Sequence, residues 1–487
     1  LQAKKRPTRK SNSPEELNLE TLGKSSRNNF VSLALYCETS FVKTSLSRVR
    51  EALKHVAVSK RRRTKTLKDF GSNSNTARVA IAEAISTRGG EVAARNRAAI
   101  VAANYLTLDQ EGQRRFFTIL SEDFGVDRPA VDNLIKDLGD AADRGPIERK
   151  LRSALEAERE LLFRRFLSVE NGLAFVVGLR ADLLALNDDT FADLDEELRR
   201  LLDRWFDAGL LTLSQISWDS PASLLEKLVE YEAVHAVTSW GDLKNRLRSD
   251  RRLFAFQHPG LPNDLLIFVE VALVSGLANS VDELLNTSAP IIDSDQADTA
   301  IFYSISNCQD GLAGVRLGDF LIKRVVTELS REQPGLKHFA TLSPIPGFRR
   351  WLEKKLEAQE LRYIEDTEIQ ALETALQNPK WTLDQETVTQ LQVTLPRLGA
   401  QYLLSEKRGQ RAIDPVANFH LSNGARVERL IFGANRQDIA QDRALGMMVN
   451  YRYDLPKIED RHDEYVHEGI IDAHSDVTGL LPTQSGI

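Results

Sequence analysis

From about Thr76 to Phe206, apolar residues return every three or four positions almost without a break, the spacing of one buried helix face. Asp127-Arg-Pro-Ala opens one helix, with a carboxylate placed to cap it and a proline in the first turn. Val131, Leu134, Ile135 and Leu138 form its stripe. A longer helix is predicted from Ile147 through Leu151, Leu155, Leu162 and Phe166, with Arg and Glu on its other face. Gly172 to Leu186 is apolar nearly all round, which predicts burial between neighbours. Neither Cys nor His occurs between Thr76 and Phe206, so this bundle reads as an interaction or assembly module.

Beyond Leu210 the pattern changes. Strand-like runs are predicted at Arg252–Phe256, Leu265–Val274, Ala300–Ser306, Phe339–Leu342, Val416–Leu421, Val427–Phe432 and Val449–Tyr453. Helix-like stretches lie between them, at Ser223–Val234, Val281–Leu285, Leu317–Leu329, Arg349–Leu361 and Thr367–Leu376. The expectation is an α+β chain: a helical domain over 76–206, then a mixed-sheet domain over 207–487, joined near Asp207–Leu213.

At 487 residues, 42% hydrophobic and 28% charged, the chain has ample material for a large core and more than one domain. Lys plus Arg number 64 against 70 Asp plus Glu, a net charge of -6 that argues against a polyanion-binding protein as a whole. Charge is nonetheless uneven, because Leu1 to Phe70 holds 17 basic and 6 acidic residues. For 1–75 the composition suits a nucleic-acid or anionic-surface arm or a transit segment, the latter pattern interrupted by Glu15, Glu16 and Glu20. A solvated extension with little order of its own is the expectation. No apolar run reaches the length of a membrane span, and two cysteines, Cys37 and Cys308, suit a reducing compartment; a cytoplasmic chain is expected.

Four segments carry candidate chemistry. In Ala300–Arg324 a strand enters a loop with Gly311, Gly314 and Gly318 and then an amphipathic helix, an arrangement suited to the pyrophosphate of a nucleotide or coenzyme A. It is neither a Walker loop nor the Gly-x-Gly-x-x-Gly pattern, and on spacing alone a plain strand-to-helix turn is the simpler reading. Ser343 ends a strand before Pro344, Pro346 and Gly347, where a turn is the simpler reading. His420 is a credible proton carrier; as a strand, its segment would put Asn418 and His420 on one face. Tyr451 and Tyr453 alternate with Asn450 and Arg452. His462, His467 and His474 with Asp463 and Asp472 match no standard metal spacing, so no metal is expected.

Taken together these blocks closely resemble the malonyl-CoA decarboxylase family. The resemblance rests on His258-Pro-Gly-Leu-Pro-Asn-Asp-Leu-Leu, Phe302-Tyr-Ser-Ile-Ser with Gly311-Leu, and Phe320-Leu-Ile-Lys-Arg-Val-Val. It continues in Leu342-Ser-Pro-Ile-Pro-Gly-Phe, Pro415-Val-Ala-Asn-Phe-His-Leu, Asn423-Gly-Ala and Asn450-Tyr-Arg-Tyr, covering roughly Leu210 to Leu455. It implies an N-terminal helical bundle, a C-terminal domain like the N-acetyltransferases (GNAT), and conversion of malonyl-CoA to acetyl-CoA and carbon dioxide. It implies a catalytic serine at Ser343, a catalytic histidine at His420 and a substrate-site tyrosine at Tyr453. The CoA-contacting loop falls on Ala313, Gly314, Val315, Arg316, Leu317, Gly318 and Asp319. Some relatives carry an acid where Arg316 stands, so that carboxylate's role does not transfer. No cofactor beyond the substrate's own CoA is implied, no nucleic acid or membrane partner, and a homodimer or homotetramer through the helical domain. The thioester accepts the electrons left by carbon dioxide, so the protein must stabilise an enolate and deliver one proton. A CoA-dependent acyltransferase and a non-catalytic acyl-CoA sensor remain alternatives, as does an acyl-enzyme route through the Ser/His pair.

Overall fold

The computed structural model describes residues 73–482 apart from 316, 318–320 and 362. Most of the basic stretch, including Cys37, and three positions of the expected CoA loop, Arg316, Gly318 and Asp319, therefore lie outside the described residues.

Among the described residues eight α-helices come first: α1 (Ser74–Ile85), α2 (Gly90–Tyr105), α3 (Gln110–Asp123), α4 (Arg128–Asp140), α5 (Gly145–Ala154), α6 (Glu158–Leu167), α7 (Gly172–Ala185) and α8 (Ala192–Trp205). Asp127 caps α4 by accepting from Ala130 N, with Pro129 in the first turn, as its sequence predicts. The single long helix expected from Ile147 is two. The chain turns extended at Ala157 so that buried Arg159 can bond Glu197, Leu120 O and Ser121 O. An unpaired guanidinium would be far too costly there, and one straight helix would not supply these partners. Aromatic rings from α2, α3, α6 and α7 fill the bundle's centre, Tyr105 lying 5.0 Å from Phe116 and Phe166 4.9 Å from Phe175. The near-uniform apolarity of α7 matches its burial.

The second half is built on one twisted sheet. Its strands are β1 (Thr212–Ile216), β2 (Arg251–Gln257), β3 (Ile267–Val274), β4 (Thr299–Asn307), β5 (His338–Thr341), β6 (Ser343–Pro344), β9 (Arg426–Ile431) and β10 (Met448–Tyr453); β7 (Lys407–Arg408) and β8 (Arg411–Ala412) form a separate ribbon. The order is β1-β2-β3-β4-β5-β10-β6, with β9 also paired to β10. The β4–β5 pair is parallel, whereas its neighbours pair antiparallel. β3 and β4 are buried along nearly their whole length, which is why they read as continuous apolar runs. The helix-then-mixed-sheet α+β architecture is as expected.

One local expectation fails, and two elements carried no expectation, an edge strand at the joint and a long helix. Val416–Leu421 is not a strand but part of the helix Pro415–Ser422. The joint near Asp207–Leu213 contains the start of edge strand β1. The 21-residue helix Gln385–Ser405, which carries Pro396 internally, was not foreseen at all. One apolar cluster runs continuously from the helical bundle into the sheet. Among the described residues no helix is long and apolar enough to cross a membrane.

Candidate active site

β4 and β5 pair only from Thr299↔His338 to Phe302↔Thr341; β4 then continues to Asn307 along β3 while the other strand departs. A cavity of about 230 Å³ opens where they part. Ser304 and Asn307 line it from β4, Ser343 and Pro344 from β6, and Phe419 and His420 from the helix Pro415–Ser422.

That helix is specified by its first two residues. Asp414 accepts from Val416 N and Ala417 N at 3.0 and 2.9 Å, and Pro415 sits where its missing N–H costs nothing. At 100° per residue, positions 418 and 420 point apart. His420 turns toward Ser343, whereas Asn418 accepts from Tyr465 OH at 2.8 Å on the other side. The shared face expected from a strand is thereby overturned. At its far end the chain leaves through Gly424, with φ +76; a Cβ there would stand 2.1 Å from Ile458 O, so glycine is required.

Ser343 is set by an interruption between β5 and β6. Asn450 Nδ2 donates to Thr341 O at 2.6 Å, and Tyr451 N donates to Thr341 Oγ1 at 3.1 Å. Ser343 Oγ donates to the same Thr341 Oγ1 at 2.9 Å and lies 3.0 Å from His420 Nε2. His420 Nδ1 is 2.8 Å from Tyr453 OH, and its ring stacks on Tyr451 with centroids 4.6 Å apart. Burial holds the imidazole down to about 3, hence neutral at pH 7, and pushes the Tyr453 phenol well up, hence protonated.

Ser343, His420 and Tyr453 are thus brought together. Ala313, Gly314, Val315 and Leu317 are not among the residues lining this cavity. Gly311 was expected to admit a ligand; instead it admits the helical half, since a Cβ there would stand 1.9 Å from Val177 O. Arg180 of α7 donates to Gly311 O and Ala313 O at 2.8 and 2.7 Å, fixing the start of the loop. Gly314 has φ +75 and is exposed. The C-terminal histidines scatter: His462 meets Ser422 O, and His474 accepts from Asp476 N at 3.3 Å. No group of His, Cys, Asp or Glu suited to a metal occurs among the described residues. Sequence reasoning missed Thr341, the orienting role of Asn450, and Glu232, whose carboxylate stands behind Ser304.

The model of the malonyl-CoA decarboxylase N-terminal domain matches residues 124–206, and that of the C-terminal domain matches 209–486. "Malonyl-CoA decarboxylase, mitochondrial" of Anser anser anser is 35% identical over 409 residues, 76% of this chain and 81% of that protein. The protein of the same name from Rattus norvegicus is 35% identical over 394 residues, 74% of this chain and 80% of its own. The crystal structure of malonyl-CoA decarboxylase from Agrobacterium vitis gives a TM-score of 0.78 at 38% identity, covering 83% of this chain and 98% of that one. The Rhodopseudomonas palustris structure gives 0.78 at 37%, with the same coverage.

Proposed function

The chain belongs to the malonyl-CoA decarboxylase family and is a malonyl-CoA decarboxylase enzyme, and on that premise we propose that Ser343 and His420 act as one proton-delivering unit. The observation that carries this reading is the partner of His420 Nδ1. A serine nucleophile needs Nε2 free to accept its proton, and a carboxylate at Nδ1–H usually secures that tautomer. Here a phenol occupies that place. A protonated Tyr453 donates to Nδ1, leaves the proton on Nε2, and aims it at Ser343 Oγ, whose own proton goes to Thr341.

An arriving malonyl carboxylate supplies the opposite charge that lets the neutral imidazole take up a second proton, drawn from solvent onto Nδ1. The bond between the carboxyl carbon and the α-carbon breaks, and its electron pair enters the thioester as an enolate. Carbon dioxide leaves neutral. The α-carbon then takes a proton handed from the imidazolium through Ser343, and His420 returns to its neutral form with Nδ1–H facing the Tyr453 oxygen. A hydroxyl can accept as readily as donate, so the same partner serves both states.

In the same reading the loop Ala313–Asp319 holds the coenzyme, followed as it is by the 12-residue helix Leu321–Glu332. Assembly through the helical half is supported by the half-exposed apolar residues Ile135 and Leu155 on α4 and just beyond α5, and residence in the cytoplasm by the thiol Cys308, free and buried.

Release of labelled carbon dioxide from malonyl-CoA tests the reaction. Ser343→Ala and His420→Ala should each lower kcat by about 100-fold or more, and the double variant should be little worse than either. Near wild-type turnover by either single variant sinks the assignment. A covalent acyl-serine at Ser343, trapped by quenching and found by mass spectrometry, overturns proton delivery in favour of a nucleophile.

A further inference from the structure

The cavity has a second polar wall, built the other way round. Ser304 lines it from β4, and its hydroxyl lies 2.9 and 2.8 Å from the two carboxylate oxygens of Glu232, to which it donates. Glu232 also accepts from Val234 N and His235 N, both at 2.8 Å, and from Ser306 Oγ at 3.4 Å. It is only 6% exposed. Glu270 stands opposite Ser304 in the β3–β4 ladder, with one oxygen 2.9 Å from Arg246 Nη1 and the other without a hydrogen-bond partner among the described residues. Burial first, and then the charge of Glu232, push Glu270 up to about 8. Arg246 directs its remaining N–H groups to Asp242 and to His235 O, and burial holds His235 down to about 4. No Lys or Arg is among the described residues lining the cavity.

One wall therefore carries the Ser343–His420 pair, and the other offers a hydroxyl whose proton is already committed to a carboxylate. We propose that Glu232, acting through Ser304, is a positioning residue for decarboxylation. It turns the Ser304 proton out of the cavity and sets a negative group behind the wall that receives the malonyl carboxylate. This rests on the preceding reading, in which the Ser343–His420 pair delivers the proton to the new carbanion.

Only interactions that differ between ground and transition state change kcat. As the carbon–carbon bond breaks, negative charge leaves the carboxylate for the thioester oxygen. Repulsion from Glu232 falls along that path while attraction between the new carbanion and the protonated Ser343–His420 pair grows. Loss of neutral carbon dioxide completes the relief, and no oxidant or further reactant is involved.

The experiment separates binding from turnover. Dissociation constants for malonyl-CoA and acetyl-CoA are measured calorimetrically in Ser343→Ala protein, with and without Glu232→Gln. Glutamine preserves shape and still accepts from Val234 N and His235 N. The expected result is malonyl-CoA binding tighter by about 3- to 10-fold with acetyl-CoA unchanged; with Ser343 restored, kcat falls about 10-fold. A parallel change for both ligands, or an unchanged affinity ratio, overturns the proposal and leaves Glu232 as a structural carboxylate. Should Glu232→Gln fail to fold, Ser304→Ala is read instead. It keeps the carboxylate, so malonyl-CoA should bind no tighter; a gain of more than about 3-fold would show that the hydroxyl rather than the charge matters, and would overturn the proposal too. A wild-type chain that releases no carbon dioxide from malonyl-CoA would instead sink the functional reading, and the affinity ratio does not depend on that outcome.

Discussion

The helical half and the cavity of the sheet half bury ionisable groups in opposite ways. The helical half buries Arg159, Arg165 and Arg180, and each guanidinium meets acceptors: Glu197 and Leu120 O for the first, Ala84 O for the second, whose Nε is left without a hydrogen bond among the described residues, and Asp195 with Gly311 O and Ala313 O for the third. Around the cavity of the sheet half, His420 meets only hydroxyls, and among the described residues both ring nitrogens of His235, Tyr451 OH and one oxygen of Glu270 have no hydrogen-bond partner. A fully compensated buried charge acts as a staple, whereas an uncompensated buried group keeps a reactive choice of proton. The two halves differ in what their burial is for.

The comparison breaks most visibly at Arg159. Removing one member of a buried, hydrogen-bonded pair typically costs about 3–5 kcal/mol. Arg159→Ala should therefore lower the urea midpoint sharply, while kcat per folded molecule stays at the wild-type value. A drop in kcat without loss of stability would mean that the helical half takes part in the chemistry.

Acid titration sharpens the other side. Burial lowers His420 to about 3 from an ordinary 6.5. Between those values the unfolded chain carries a proton that the folded chain lacks. Stability thus rises with pH across that window, is complete above about 6.5, and is lost as pH falls toward 3. His420→Asn should remove about 1.4 kcal/mol per pH unit from the slope of unfolding free energy below pH 6.5, read from urea midpoints at several pH values. An unchanged slope would place the imidazole in contact with solvent.

The smallest stability effect is expected at Asp414. Loss of an N-cap costs about 1 kcal/mol, so Asp414→Ala should shift the thermal midpoint by a few degrees. Because His420 rides on that helix, kcat should fall about 10-fold in the same variant, and Asp414→Asn, which caps equally well, should restore both. Turnover unaffected by the alanine would show that the helix is held by its packing alone.

The strands nearest the cavity were legible because burial on both faces leaves a continuous apolar run, as in Ala300–Ser306 and Leu265–Val274. The end of the Ser343 strand was legible from the prolines that stop it, whereas a site role for Ser343 was expected only from the family resemblance. The helix of His420 was misread from a short alternation, although Asp414-Pro415 carries the same cap-and-proline signal that was used correctly at Asp127-Arg-Pro. The helix Gln385–Ser405 was hidden by Pro396, which ordinarily argues for a break. Thr341, Asn450 and Glu232 left no local signal. Their partners lie 2, 109 and 72 positions away, and only the fold brings the last two pairs within reach.

The contact between Gly311 and Val177 O, with Arg180 clasping the carbonyls on either side of Leu312, bears on how the molecule can be taken apart. Cutting the chain between the halves to express the sheet alone would leave two carbonyls bare and an apolar trough open to water. Grafting a foreign bundle onto the sheet would work only if it brought an arginine at one spot and clear backbone beside it. The natural unit of expression, of truncation and of domain exchange is therefore the pair, and a fusion partner belongs at an outer surface such as the β7–β8 ribbon, never at the joint.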